Sequence, residues 1–423
     1  MSASKRRYVI IGGGAAGMAA TTAIREQDRL GSIVVISEEQ DMPYFRPMIP
    51  FLISGKKAEA DMALAGRGPY QAEGIHIRTG VRVIRVEPEA HQVYVTGGEK
   101  VPYDKLLIAS GSLPNIPADI KGVEAEGVFA LRTLDDARKA ALRAKKGGHV
   151  IMLGGGMLNL KTAFSLLERG LDVSLVVHSP QVLSQLMEPE DAALIRKALD
   201  MAGLKILTGC NAERIISDKD GVTSVALTNG MEIPCRMVFI GKGVLPNVDF
   251  LSNGPVHIDH GVVVNQYTAT NVPDIHAAGD VAATFDPATG KMIVAGLWTN
   301  AVEMGRCAGN NMAGNVTRYG GAFGIQNATQ VADVPFVSMG VVHTKGNDFE
   351  THTAESYGSY RRLVFSPDGT RLAGAVFVRD ISRAGLYRFL IREAMDIGRI
   401  KAQIIDHKLH YGHFVCSPLA KGG

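Results

Sequence analysis

Two stretches of the chain share one pattern of apolar and polar positions. At the N-terminus "YVIIGGGAAGMAATTAIREQ" leads to "SIVVISEE", and Val150–Pro180 reads "VIMLGGGMLNLKTAFSLLERGLDVSLVVHSP". Each predicts a short apolar strand, a Gly-x-Gly turn, a helix of small residues and a second β-branched strand. The two lie about 142 residues apart, Gly12 to Gly154, which points to tandem βαβ units and not to a solenoid. The stretch of chain after each unit is also duplicated. "IHIRTGVRVIRVEPEAHQVYVTGGEKVPYDKLLIASGSLPNIP" alternates as strands and turns, and "GLKILTGCNAERIISDKDGVTSVALTNGMEIPCRMVFIGKGVLPN" repeats it. From about Phe323 the texture changes to a meander, "YRRLVFSPDGTRLAGAVFV", then a helix from about Arg383 to Met395.

The expected fold is α/β: two Rossmann-like, three-layer nucleotide-binding domains and a small C-terminal α+β domain. Composition agrees. At 423 residues and 46% hydrophobic the chain can bury a large core, with length for two to three domains. A net charge of +3, without a long basic run, argues against nucleic acid and against a polybasic membrane patch. Cys210, Cys235, Cys307 and Cys416 are scattered, so neither a disulfide framework nor a Cys-x-x-Cys pair is expected, which suits the reducing cytoplasm. "MSASKRRYVIIGGGAAGMAA" imitates a signal peptide, but three consecutive glycines make it a buried strand running into a phosphate loop. No run of about 18 apolar residues exists to span a membrane.

The first turn carries the stronger chemistry. Gly12, Gly14 and Gly17 supply a tight turn, backbone close enough to touch a pyrophosphate, and close helix–strand packing. Ala15 and Ala16 open the helix. Glu38, at the end of the second strand and 26 residues after Gly12, is placed to hydrogen-bond a ribose diol. Further on, "VPDIHAAGDVA" predicts a strand ending at Gly279–Asp280, with Asp280 at the mouth of a following helix.

"IIGGGAAG", "YDKLLIASGSLPNIP", "GGGMLN", "IGKGVLPN" and "IHAAGDVA" occur in the order and spacing of the FAD-dependent pyridine-nucleotide oxidoreductases. The chain resembles their rubredoxin- and ferredoxin-reductase-like group and the flavin domain of assimilatory nitrite reductase. The resemblance covers nearly the whole chain. It implies that Gly12, Gly14, Gly17 and Glu38, with Ala15 and Ala16, hold the ADP half of FAD. It implies that Asp280, beside Gly279, binds the ribityl–phosphate portion, and that Arg46 and Pro47 of "PYFRP" lie against the cofactor. Val83, Ala109, Ser110 and Gly111 complete that set. "GLWTNAVEMGRCAG" would place Trp298 and a helix N-terminus at the pyrimidine end of the flavin, favouring negative charge on the reduced ring.

Disulfide reductases of this superfamily need two cysteines beside the flavin, and their peroxidase and oxidase relatives one. "DMPYFRPMIPFLISGKK", the region that should carry them, has none. Thiolate chemistry is therefore not expected, nor is an iron–sulfur cluster on this chain. Electrons entering the flavin must then leave directly to something else, and a metal centre on another polypeptide is the expected acceptor. In the second turn Gly154 and Gly156 remain, Asn159 replaces the packing glycine, and His178 replaces the ribose-binding acid. A slightly displaced helix and retained binding are expected, with NAD ahead of NADP. Relatives pair a lysine five residues after the "RP" arginine with a glutamate two after the third motif glycine. Those positions here are Phe51 and Lys161, so Lys161 is the catalytic candidate, a lone cation beside the isoalloxazine. Finally "DHKLHYGHFVC" sets His407, His410, His413 and Cys416 at threefold spacing, which suits no common metal geometry and reads as a partner-docking tail.

The expected division is an FAD domain at 1–115 and 245–322, an NAD(P) domain at 116–244 and a C-terminal domain at 323–423. The expected function is hydride transfer between NAD(H) and FAD coupled to an iron–sulfur or other redox protein. A diaphorase subunit in a hetero-oligomer, similar to the FAD subunits of phenylglyoxylate dehydrogenase and tungsten aldehyde oxidoreductase, stands ahead of a free-standing rubredoxin or ferredoxin reductase. A non-catalytic FAD-binding subunit with a vestigial NAD site is the third reading.

Overall fold

The computed structural model describes residues 5–64, 73–144, 148–252, 254–346 and 348–415. The first glycine turn follows strand Arg7–Ile11, the middle strand of a five-stranded parallel sheet. Its neighbours are Lys105–Ile108 and Ser32–Ile36, flanked by Ile275–Ala277 and Ile75–Arg78. Both faces are covered, which is why these strands are almost continuously apolar. The strand Ile275–Ala277 comes from beyond the second unit, so the first sheet is completed only after the chain has built the second. Helices Ala15–Gln27 and Trp298–Ala313 cover one face together. A Cβ at Gly305 would lie 2.2 Å from Ala16 O, and one at Gly309 2.5 Å from Ala20 O, so glycine lets the two backbones touch.

The second unit repeats the plan. Its parallel sheet runs Lys205–Thr208, Asp172–Val177, His149–Leu153, Met237–Ile240, Val128–Phe129. Each unit also carries a three-stranded antiparallel meander, Val83–Pro102 and Ala212–Pro234. The strands Ser112–Pro114 and Val244–Pro246, predicted as a duplicated pair, are hydrogen-bonded to each other and join the units.

The C-terminal unit is a five-stranded antiparallel sheet, Gln326–Val331, Val334–Gly340, Leu372–Val378, Ser359–Phe365, Glu350–Ser356. Alternation sends Val337, Met339, Leu363, Phe365 and Phe377 toward the helix Ala384–Arg392, slightly shorter than the expected Arg383–Met395. The opposite face places Phe336, Tyr360, Val376 and Val378 in one core with Leu160, Ile195 and Leu199 of the second unit. Inside this apolar seam Arg362 Nε donates to Asp191 Oδ1 at 2.8 Å and Arg362 Nη2 to Val342 O at 2.8 Å. Asp191 is fully buried, Arg362 nearly so. Asp191 Oδ2 also accepts from Glu188 N at the start of helix Pro189–Met201, so one carboxylate fixes both the helix end and the third unit. Among the described residues no helix is long and apolar enough to cross a membrane.

Stability should respond to two of these buried groups. Asp191→Ala strands a buried guanidinium and should cost about 3–5 kcal/mol in a denaturant titration, whereas Asp191→Leu with Arg362→Met should cost far less. His276, buried in the first sheet beside Thr268, has its pKa lowered to about 4 by burial and then by Lys105. The folded state thus resists a proton that the unfolded chain accepts near pH 6.5, and stability falls as pH drops from about 6.5 to about 4. Between pH 7 and pH 5 the unfolding free energy should fall by about 2 kcal/mol more in the wild type than in His276→Gln.

Candidate functional site

A cavity of about 820 Å³ opens where the three units meet. Its floor is the C-terminal edge of the first sheet. Gly12 (φ +111°) must be glycine, since a Cβ would lie 2.1 Å from Ala109 O on the next strand. At Gly17 a Cβ would lie 2.0 Å from Gly12 O, so Gly17 packs the helix onto the turn and does not line the cavity. Gly14 is the opposite case: a Cβ there would meet nothing within 4 Å. It caps the helix without a side chain, no acid occupies the first turn, and Gly14, Ala15 and Ala16 face the cavity. Uncapped N–H groups on an open turn can hold a phosphate. Glu38 lies two residues past the strand end at Ile36, not on it, and sits exposed on the rim with Arg82 Nε at 3.7 Å.

Four of the cavity's cations are paired with acids that line it too, Arg46 with Glu39, Arg82 with Glu38, Arg132 with Asp280 and Arg138 with Asp41. Asp280 Oδ2 accepts from Ser112 Oγ at 2.9 Å and Arg132 Nη2 at 3.0 Å, and Arg132 Nε donates to Ser112 O at 2.9 Å. Gly279 and Asp280 turn into strand Ala282–Phe285, which corrects the expectation of a helix there. Asp280 therefore caps nothing, and its carboxylate faces the cavity. Arg46 opens a short 3-10 turn with Pro47 and reaches Glu39 Oε1 at 2.5 Å and Arg132 O. Burial opposes its charge, but Glu39, Tyr44 and Asp280 outweigh burial and raise its pKa. Val83, Ala109, Ser110 and Gly111 complete this wall.

Helix Trp298–Ala313 presents its N-terminus to the same space through Gly296, Trp298 and Ala301. Neither a capping side chain nor a first-turn acid is present, so its dipole is free to favour an anion. The Trp298 ring stands edge-on to Phe45, centroids 4.6 Å apart.

The second-turn helix, Met157–Glu168, divides its faces. Leu160, Ala163 and Leu166 are buried, while Met157, Leu158 and Lys161 line the cavity. Lys161 is half-buried, burial lowers its pKa, and among the described residues its ammonium has no hydrogen-bond or ion-pair partner. Phe51 lies on the adjoining helix Ile49–Ile53 and does not reach the cavity. Gly154, Gly156, Asn159 and His178 lie outside this cavity, at the C-terminal edge of the second sheet. Gly154 (φ +109°) is as constrained as Gly12, a Cβ meeting Gly241 O at 2.2 Å. Asn159 is buried, and its Nδ2 donates to Leu153 O at 2.9 Å and Gly154 O at 2.8 Å. The amide thus fills the space that close packing closes at Gly17, and it ties helix to turn by hydrogen bonds. His178 is exposed one residue past its strand.

Sequence reasoning missed Arg132, Ser112 and Asn327. Arg132 precedes the Thr133–Asp136 capping box, a signal for a helix start but not for a ligand. Asn327 comes from the C-terminal sheet, and nothing in its neighbourhood in sequence marks it. The tail divides: His407 packs on Tyr387 with its Nδ1 3.0 Å from the hydroxyl, His410 and His413 face each other at the surface, and Cys416 lies outside the described residues.

The profile of the family described as pyridine nucleotide-disulphide oxidoreductase matches residues 6–305. An NADH oxidase of Methanocaldococcus jannaschii is 33% identical over 317 residues, 73% of this chain and 70% of that one. The NADH-dependent phenylglyoxylate dehydrogenase subunit epsilon of Aromatoleum evansii is 28% identical over 97% of both chains. Among solved structures, the NAD-dependent persulfide reductase from A. fulgidus superposes with a TM-score of 0.88 at 26% identity, covering 93% of this chain and 78% of that one.

Asn159→Ala removes both donors beneath the second turn. It should lower the unfolding free energy by about 1–3 kcal/mol, read from the denaturant midpoint.

Proposed function

Since the chain belongs to the pyridine nucleotide-disulphide oxidoreductase family, we propose that its cavity holds FAD and that it moves electrons between NAD(H) and a redox protein. It is an FAD- and nicotinamide-dependent oxidoreductase. The observation that carries the reading is the convergence, on one space without a cysteine, of the uncapped first turn, Asp280 and the acid-free start of helix Trp298–Ala313. The cavity's polar groups fit FAD: open N–H groups would donate to a pyrophosphate, Glu38 would accept from ribose hydroxyls, and Asp280 would accept from hydroxyls of the ribityl–phosphate portion.

In this reading residues 1–115 and 245–322 serve FAD, 116–244 serve the nicotinamide dinucleotide, and 323–423 close the site. FAD supplies the hydride and single-electron chemistry. The chain positions and polarises. Ala15 and Ala16 N–H groups hold the pyrophosphate, Arg132 and Arg46 neutralise charge beside it, and the helix start at Trp298 favours a negative ring. Gly154 and Gly156 keep the second turn open for a dinucleotide, with His178 in place of a ribose-binding acid. Among the described residues the family's disulfide step has no counterpart. Cys210, Cys235 and Cys307 are buried, and none lines the cavity. Burial raises all three thiols, Cys235 to about 12 and Cys307 to about 11. The electron acceptor is therefore a separate redox centre. Full-length similarity to the phenylglyoxylate dehydrogenase subunit supports a place within a larger complex, with the direction of electron flow left to the site's electrostatics.

Anaerobic titration of the yellow holoprotein tests this. NADH should bleach the flavin absorbance with an endpoint near one equivalent, and NADPH should act more weakly. A flavin that dithionite bleaches but neither nucleotide touches would overturn the reading. Gly17→Ala, whose Cβ would overlap Gly12 O, should purify with less than about a tenth of the wild-type flavin.

A further inference from the structure

Five cationic side chains line the cavity: Arg46, Arg82, Arg132, Arg138 and Lys161. Four are paired with acids of the same cavity, Glu39, Glu38, Asp280 and Asp41 respectively. Lys161 alone has no partner among the described residues. Its neighbours on the helix face are Met157 and Leu158, which cannot solvate an ammonium. A half-buried cation without a counter-ion acts strongly on whatever charge appears near it.

Its position decides which charges those are. Lys161 lies five residues, about 7.5 Å of helix, beyond Gly156, the open cap of the second turn. Within the second turn's own helix, Met157, Leu158 and Lys161 are the residues that reach the cavity. A dinucleotide anchored on that turn and extending into the cavity would run along this face.

We propose that Lys161 makes the site discriminate against NAD⁺ and so biases electron flow from NADH into the flavin. The inference rests on the function proposed above. Hydride transfer breaks a C–H bond of the dihydronicotinamide and forms an N–H bond on the flavin, moving two electrons and one proton. The nicotinamide goes from neutral to a pyridinium cation, and the isoalloxazine from neutral to an anion. Lys161 repels the first product and attracts the second. NAD⁺ is expelled, the reduced ring is held, and the electrons go forward to the acceptor.

Asn327 offers an independent handle. It reaches the cavity from strand Gln326–Val331, which packs on the Lys161 helix, and its amide has no hydrogen-bond partner among the described residues. Asn327→Asp would place a carboxylate on the same wall while leaving Lys161 intact.

The experiment measures binding to the oxidised holoprotein by flavin difference spectra, without turnover. The probes are NAD⁺ and a tetrahydronicotinamide analogue of NADH, neutral but unable to give hydride. The wild type should prefer the neutral analogue, and Lys161→Met should cut that preference about tenfold by tightening NAD⁺. Lys161→Glu should reverse it. Asn327→Asp should shift it in the same direction as Lys161→Met, and all three should lower the flavin midpoint potential. An unchanged preference in Lys161→Met and Asn327→Asp, with NADH still bleaching the wild type, would overturn this inference alone. A wild type that binds neither probe and is not bleached by NADH would overturn the function with it.

Discussion

Arg169 Nη1 donates to Ile53 O at 2.6 Å and Lys56 pairs with Glu168 at 2.6 Å, tying the C-terminal end of helix Met157–Glu168 to the first unit. At the other end the Asn159 amide fastens the helix to its own turn. Leu160 and Leu166 are packed in one core with Ile49, Ile53, Phe336 and Val376, so three units share the helix as a wall. The cavity depends on this arrangement. Were the helix free to slide, Met157, Leu158 and Lys161 would not face the same space as Arg46 and Asp280, because no local rule places them there. Close packing makes such a wall stiff, since its neighbours have few voids into which to relax.

The same packing explains why the charges are arranged as they are. Cations drawn into a partly buried cavity lose hydration, and acids that accompany them restore part of it. Arg46 with Glu39, and Arg132 with Asp280, are such pairs, and each presents a hydrogen-bonded face to the cavity. Among the cavity's cations Lys161 is the one whose burial has no acid partner among the described residues.

The C-terminal unit has a larger part than an interface domain requires. Its sheet seals the second unit through Phe336, Tyr360 and the Arg362–Asp191 pair, and it sends Asn327 into the cavity. Docking and site construction are thus the same contact. The match to the phenylglyoxylate dehydrogenase subunit epsilon of Aromatoleum evansii, 97% of both chains, runs through this region.

Much of this was legible in the sequence. Two glycine turns, the strands and helices around them, the duplicated "SLPN" and "VLPN" strands and the absence of a cysteine near "PYFRP" are local facts. They are set by φ at Gly12 and Gly154, by apolar period and by side-chain type, all readable from neighbouring residues. Ala15, Ala16, Ala109, Arg46, Asp280, Trp298 and Lys161, far apart along the chain, all line one cavity. The features that sequence reasoning left open depend on residues far apart along the chain. Asp280 was expected as a ligand contact at the mouth of a helix, but no helix follows it, and its partners are Ser112 and Arg132, 168 and 148 residues away. Asn159 looked like a lost glycine and is a buried amide with two acceptors. Lys161 and Asn327 acquire meaning only from their surroundings, an unpaired charge and an amide on one wall. Charge compensation and burial are properties of the assembled neighbours, and only the tertiary structure decides who those neighbours are.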